Sequence, residues 1–355
     1  MFSKILLLVS AVFATSASAS ASASVSLKGE VDEWDMFFDF QDKFSKKYNN
    51  VLELEQRFDI FRTNVRDMIA HNANETKTFA MDVNQFSDLT AAEFKEQRVS
   101  GGFISKGFVK NIRTNVGIGS ACSDFTGTGA AVPASIDWRT KGAVTGVKDQ
   151  GQCGSCWSFS ASGAMEGAWF VSTGNLVSIS EQELVDCAGL RYSSSGCNGG
   201  QMDGAFKFAI DNGICTESSY PYTSGDTQTG GSCQKCSAAV TVKECFDVKS
   251  NDQLALKEAV SKQPVAIAIE ADTKYFQSYA SGVLTAATCG TNLDHGVLIV
   301  GYGTETNGQM YWLVKNSWST TWGDQGYLKI ARSESKSDAG VCGIAMEASF
   351  VSTFS

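Results

Sequence analysis

The stretch Gln150-Gly-Gln-Cys-Gly-Ser-Cys-Trp157 places two cysteines three positions apart, and how they are read decides the fold. Such a pair can be half of a zinc site, a redox dithiol, or two thiols with separate duties. Zinc needs a second ligand pair at suitable spacing. The other C-x-x-C, Cys233 to Cys236, lies too far along the chain for a short zinc ribbon. A redox dithiol needs a βαβ setting, yet Gly and Gln precede Cys153 in a loop-like run. The favoured reading separates the two, with Cys153 structural and Cys156 reactive. Cys156 opens a pattern in which Trp157, Ala161, Ala164, Ala168 and Trp169 share one helical face, with Gly174 as a stop. A thiol there feels the positive end of the helix dipole, which favours the nucleophilic thiolate.

A thiolate nucleophile needs an imidazole partner. The chain has two histidines. His71 lies in a charged helical stretch, whereas His295 opens a strand-like run, Leu293-Asp-His-Gly-Val-Leu-Ile-Val-Gly-Tyr302. Asn316, in Lys315-Asn-Ser-Trp318, offers an amide oxygen to fix the ring's tautomer, and Trp318 a cover for that bond.

The 355 residues carry a net charge of −9, with 43% hydrophobic and 19% charged residues. With no basic tract, nucleic acid and anionic membrane are not expected as partners. Met1–Ala19 has a charged start at Lys4, a short apolar run and small residues at Ala17-Ser-Ala19. This reads as a secretory signal peptide, too short to span a bilayer. Cysteines on an oxidising route are expected mostly as disulfides, and eleven leaves at least one over.

Three stretches follow. Residues from about 25 to 98 are charged and helical in pattern, and those from about 99 to 131 are rich in Gly, Ser and Thr. From Val132 onward lie ten of the eleven cysteines. A helix is expected over Gln201–Asn212, and strands over Pro264–Ile269, Gly296–Gly301, Tyr311–Lys315 and Gly326–Ile330. A helical half followed by a strand-rich half predicts an α+β fold with a cleft between the halves.

These residues resemble the papain family of cysteine proteases, for which C-G-[SA]-C-[WY] with distant His and Asn is a known mark. The likeness runs from about Val132 to the C-terminus through SIDWR (135–139), DQGQCGSCW (149–157), GCNGG (196–200), SYPY (219–222), LDHGV (293–297), KNSW (315–318) and WGDQGY (322–327). Ser319 stands where glycine usually follows KNSW. Upstream, Glu53, Arg57, Phe61, Asn64, Met68 and Asn72 fall on one helical face. With Asn84-Gln-Phe-Ser-Asp88 they resemble the inhibitory pro-segment of cathepsin L-like enzymes.

The resemblance implies a two-lobed fold, one lobe helical and one β-barrel-like, behind a helical pro-segment. It divides the chain into a signal peptide (1–19), an inhibitory propeptide (20–131) and a mature peptidase (132–355). It implies Cys156 as nucleophile, His295 as acid–base, Asn316 as its orienter and Gln150 as oxyanion donor. Substrate would meet Gly199 and Gly200, and a pocket formed by Gln201, Met202, Ala268, Leu293 and Gly296 with Glu347 at its floor; Asp294 and Trp318 flank the site. It also assigns the disulfides Cys153–Cys197, Cys187–Cys233 and Cys289–Cys342, with Cys236 as an alternative to Cys233. The pairing of Cys122, Cys215, Cys236 and Cys245 stays open, with Cys215–Cys236 one option and Cys122 or Cys245 a candidate free thiol. The expected protein is a monomeric endopeptidase without metal or cofactor, held by its own propeptide and bound for lysosome, vacuole or exterior. Two rivals are weighed: a peptide ligase working through the same thioester, which shares these residues, and a silent relative acting as a binding protein, a kind that usually loses the nucleophile retained here.

Overall fold

The computed structural model describes residues 32–99, 101–105, 122–285 and 288–353. The signal-peptide reading therefore lies outside the described residues. The chain divides after Arg62 into two compact units.

In the first unit, α1 (residues 32–44) and the start of α2 (Val51–Asn72) share an aromatic core. Trp34 stacks on Phe58 at 3.6 Å, and Phe37 contacts Tyr48 and Phe61 at 5.8 and 5.3 Å between ring centroids. Aromatic surface supplies most of the burial in so small a core.

The second unit begins with the rest of α2, β1 (Phe79–Met81) and α3 (Ala91–Phe94). Thr90 and Glu93 form a reciprocal capping box at the start of α3. The body then carries β2 (Ser123–Phe125), β3 (Ile136–Asp137), α4 (Cys156–Thr173), α5 (Glu181–Cys187), α6 (Met202–Asn212), β4 (Val242–Val248), α7 (Gln253–Lys262), β5 (Val265–Ile269), β6 (Tyr279–Leu284), β7 (His295–Thr304), β8 (Met310–Lys315), β9 (Tyr327–Ala331) and β10 (Ala348–Thr353). The strands run in the order β1-β6-β9-β8-β7-β5-β10-β4-β2, with β3 on β7. The centre, β5-β7-β8-β9, is antiparallel. One apolar cluster gathers around α4, α5 and α6, and another around α7 and the sheet. This is the mixed helix-and-sheet architecture that the spacing predicts.

Two expectations change. The pattern from Trp157 to Trp169 suggested a one-faced helix, but α4 is buried on all sides from Cys156 to Ala168. Its small residues allow this: a Cβ on Gly163 would stand 2.6 Å from Leu298, and one on Gly167 2.5 Å from Pro264. Its serines stay satisfied, Ser158 donating to Ser155 O and Ser160 to Val297 O. The second change concerns thiols. Cys153 pairs with Cys197, Cys187 with Cys233, Cys215 with Cys236 and Cys289 with Cys342. Cys122 and Cys245, the free-thiol candidates, are bonded to each other because β2 runs alongside β4. Cys156 is the free cysteine among the described residues.

Candidate active site

Cys156 is the first residue of α4 and is fully buried. Its Sγ accepts from the Gly296 amide at 3.3 Å. His295 opens β7 opposite Ile269 of β5, so the strand pair fixes its backbone. Asn316 follows β8, the other neighbour of β7, and donates its amide N–H to Gly326 O at 3.0 Å. The sheet thus brings two residues far apart in sequence to one place.

His295 Nε2 lies 2.8 Å from Asn316 Oδ1. An amide oxygen only accepts, so Nε2 carries the hydrogen. The Ser317 amide also donates to that oxygen, at 2.8 Å, and fixes which way the Asn316 amide points. In the neutral ring Nδ1 then holds a lone pair, buried and with no hydrogen-bond partner among the described residues. Trp318 stacks on the imidazole at 4.6 Å. Gln150 is held by Ser317 Oγ and Trp318 Nε1, which donate to its Oε1 at 2.7 and 3.2 Å. Its Nε2 donates one hydrogen to Cys153 O at 3.0 Å, leaving the second for another acceptor.

Residues 101–104 cross this site. Phe103 pairs with Gly200, and Ile104 N donates to Gly200 O at 2.9 Å. A Cβ on Gly102 would stand 2.8 Å from Cys156 Sγ, and one on Gly199 2.0 Å from Gly101 O. Backbone therefore passes directly over the thiol. Phe103 packs against the cluster that holds Met202 and Ala268, with Leu293 beside it. Upstream, Phe86 and Phe94 meet Trp318 edge-on at 5.7 and 5.4 Å, and Gln85 donates to Trp318 O. Gly102→Val is expected to weaken this blockade by about 5- to 150-fold, since overpacking costs roughly 1–3 kcal/mol. The rate of activity appearance from the proform would rise accordingly; an unchanged rate would mean the close approach carries no inhibition.

Burial dominates the titrations. It pushes the Cys156 thiol up to about 12, against the Gly296 amide. It pushes His295 down to about 4, against the Asn316 bond. Burial therefore favours the neutral thiol and the neutral imidazole while the cleft is covered. Asp294 is raised to about 7 by burial, with Asp272 and Glu270 adding to the rise. The two shifts act oppositely with pH. The neutral His295 contributes stability that is present above its ordinary 6.5 and lost as pH falls toward about 4. The neutral Asp294 contributes stability that is present below its ordinary 3.8 and lost as pH rises through about 7.

Two of the expected pocket residues have other duties. Gln201 caps α6, its Oε1 accepting from Asp203 N at 2.6 Å. Asp294 turns to Ala271 N, at 2.8 Å. Glu347 is half-buried, and its backbone oxygen accepts from Ala268 N. Behind the site lies a feature that motif reading missed. Lys148 Nζ contacts Glu166 at 3.1 Å and Glu181 at 2.6 Å, and Lys315 Nζ donates to Thr145 at 3.0 Å. Lys148, Glu166, Glu181 and Lys315 line a small cavity, about 20 Å³, with Ser162 and Asn316. Burial works against the Lys148 charge, but Glu166 and Glu181 outweigh it and hold its pKa above the usual range. Burial pushes Glu181 up to about 7. Its signal was a glutamate in the otherwise apolar helix after Cys156, and lysines just before Gln150 and Asn316.

Residues 132–352 match the model of the papain family cysteine protease, and residues 37–94 that of the cathepsin propeptide inhibitor domain. The chain is 46% identical over 306 residues to the probable cysteine protease RD21C of Arabidopsis thaliana, a match covering 86% of this chain and 65% of that one. It is 45% identical over 310 residues to the senescence-specific cysteine protease SAG39 of Oryza sativa subsp. japonica, covering 87% of each. Among solved structures it is similar to the proform of the ragweed pollen cysteine protease Amb a 11, with TM-score 0.80, 36% identity and coverage of 93% and 97%. It is also similar to digestive procathepsin L 3 of the Tenebrio molitor larval midgut, with TM-score 0.77, 37% identity and coverage of 90% and 99%. Fold, site geometry and these matches agree: the chain belongs to the papain family of cysteine proteases and carries a cathepsin-type inhibitory propeptide.

Proposed function

We propose that the protein is the zymogen of a cysteine endopeptidase that cleaves peptide bonds through an acyl-thioester on Cys156. The observation that carries this reading is the His295 ring, tied at Nε2 to Asn316 with Nδ1 left unpartnered, while the next residue, Gly296, donates to the buried Cys156 thiol. Nδ1 takes the Cys156 proton, and the thiolate attacks the scissile carbonyl carbon. The free hydrogen of Gln150 Nε2 and the Cys156 amide meet the oxyanion, each donor contributing roughly 3–4 kcal/mol. His295 Nδ1–H protonates the departing amine. Water, deprotonated by His295, then releases the acid and restores the thiol.

Residues 101–104 lie where substrate would lie, so their removal precedes activity. It also lets water reach the dyad, which favours the thiolate–imidazolium pair that burial opposes. The cathepsin-type propeptide and the signal-like Met1–Ala19 support a secretory route ending in a vacuole, lysosome or the exterior. No described helix is long and apolar enough to cross a membrane. A shift of the proform to about pH 4.5 tests the whole reading. Mass loss should coincide with cleavage of a Phe-Arg-coumarin substrate. A shortened protein silent on varied peptides would favour a binding role instead.

The family resemblance, with Phe103 packed against the apolar cluster that includes Met202 and Ala268, supports an apolar substrate preference. An apolar side chain fits among Met202, Ala268 and Leu293, and Glu347 adds acceptance of Arg when ionised. Arg-Arg substrates should gain on Phe-Arg substrates as pH rises from 4 to 7. Glu347→Gln should remove that gain; no Arg-Arg cleavage at any pH would end the Glu347 assignment.

A further inference from the structure

We propose that residues 122–131 stay on the mature enzyme, as an edge strand and cap held by the Cys122–Cys245 disulfide. The matched inhibitor domain ends at residue 94 and the matched peptidase domain starts at 132, so neither includes this stretch. Its contacts are those of a body element. Cys122 is buried, and its Cα lies 4.8 Å from that of Cys245 in β4. Ser123–Phe125 adds a parallel strand beside Phe246–Val248. Without it β4 would expose a bare sheet edge. Phe125 O accepts from Lys249 N at 2.8 Å, and its ring stands edge-on to Phe350 at 5.2 Å.

The chain then wraps a buried carboxylate. Thr128 donates to Glu258 through its amide at 2.7 Å and its hydroxyl at 2.8 Å, and the Gly129 amide donates at 3.1 Å. Glu258 is 4% exposed, with Lys262 as a further partner at 3.1 Å. Gly127 and Gly129 both take φ +73, the left-handed geometry that brings the two amides onto one carboxylate. Removing the segment would strip Glu258 of three donors.

The disulfide also constrains activation. The blocking residues 101–104 and Cys122 belong to one covalent chain. A single cut at Ala131–Val132 would therefore leave the inhibitor tied to the peptidase through Cys245. A tether holds a released inhibitor at high effective concentration. Freeing the cleft by hydrolysis requires a cut on the N-terminal side of Cys122, which moves the start of the mature enzyme back from Val132.

The inference rests on the zymogen reading only in that an inhibitor is removed, and its test has an arm that needs no activity. The proform is processed at acid pH without reductant, alkylated, and weighed intact before and after reduction. A Cys156→Ala proform is trimmed by added pepsin and weighed the same way. In both arms the product should begin at or before Cys122, or carry a disulfide-linked peptide spanning it that leaves on reduction. A product beginning near Val132 with no linked peptide, in either arm, overturns the proposal. In the product that keeps the segment, Cys122→Ser/Cys245→Ser should lower the melting temperature by roughly 5–10 °C. An unchanged melting temperature would also count against it.

Discussion

Cys156→Ala is expected to lower kcat/KM on peptide substrates by roughly four to six orders of magnitude, with the folded proform unchanged in melting temperature. The effect is large because one atom carries the covalent step, and oxyanion donors and binding alone leave only a small residual rate. Adding Asn316→Ala to this variant should cost almost nothing more. Asn316 acts only through His295, and His295 only on the thiol and the groups it generates, so their losses are not additive. Single-turnover kinetics on the purified, processed enzymes would measure both. Retention of even a hundredth of the activity by the alanine variant would remove Cys156 from the mechanism. A further tenfold loss in the double variant would give Asn316 a role outside the dyad.

Lys148→Met should destabilise the protein by about 3–5 kcal/mol, the scale for breaking a buried pair by deleting one partner. Its side chain is 21% exposed, while those of Glu166 and Glu181 are 2% and 1% exposed, so the carboxylates cannot recover solvation in water. Lys274→Met is the contrast. Lys274 and Asp67 are about half exposed at 2.9 Å, and solvent screening holds such pairs to roughly 0–1 kcal/mol. Denaturant unfolding of both proforms would separate the two sites. Equal losses would mean that the cluster behind Asn316 is no better desolvated than the surface. The cluster also braces the chemistry, since Lys148 O accepts from Ser319 N beyond the Trp318 lid. Ser319 takes φ 64 there, a left-handed conformation that suits the glycine expected at this position.

The sequence by itself determined the elements whose chemistry is local. A C-x-x-C ahead of a helical run, one histidine opening a strand, and Asn before Ser-Trp all name a site, because catalysis restricts residue type at fixed points. Strands β5 and β7 were legible for a similar reason: both faces are covered, so apolar residues run together, while β9 alternates buried and half-buried residues. Strands β4 and β10 were not, since Lys243, Glu244 and Ser349 interrupt their apolar pattern and the sheet supplies the partners. Sequence also left open whether Cys122 and Cys245 were paired. Only the parallel seating of β2 on β4 brings Cys122 to Cys245, and no spacing rule reports a pairing made across 123 residues. Likewise, the buried Lys148 network exists because α4 is enclosed on all sides. Its Glu166 sits at a position that a one-faced helix would have turned to water, and packing decided otherwise.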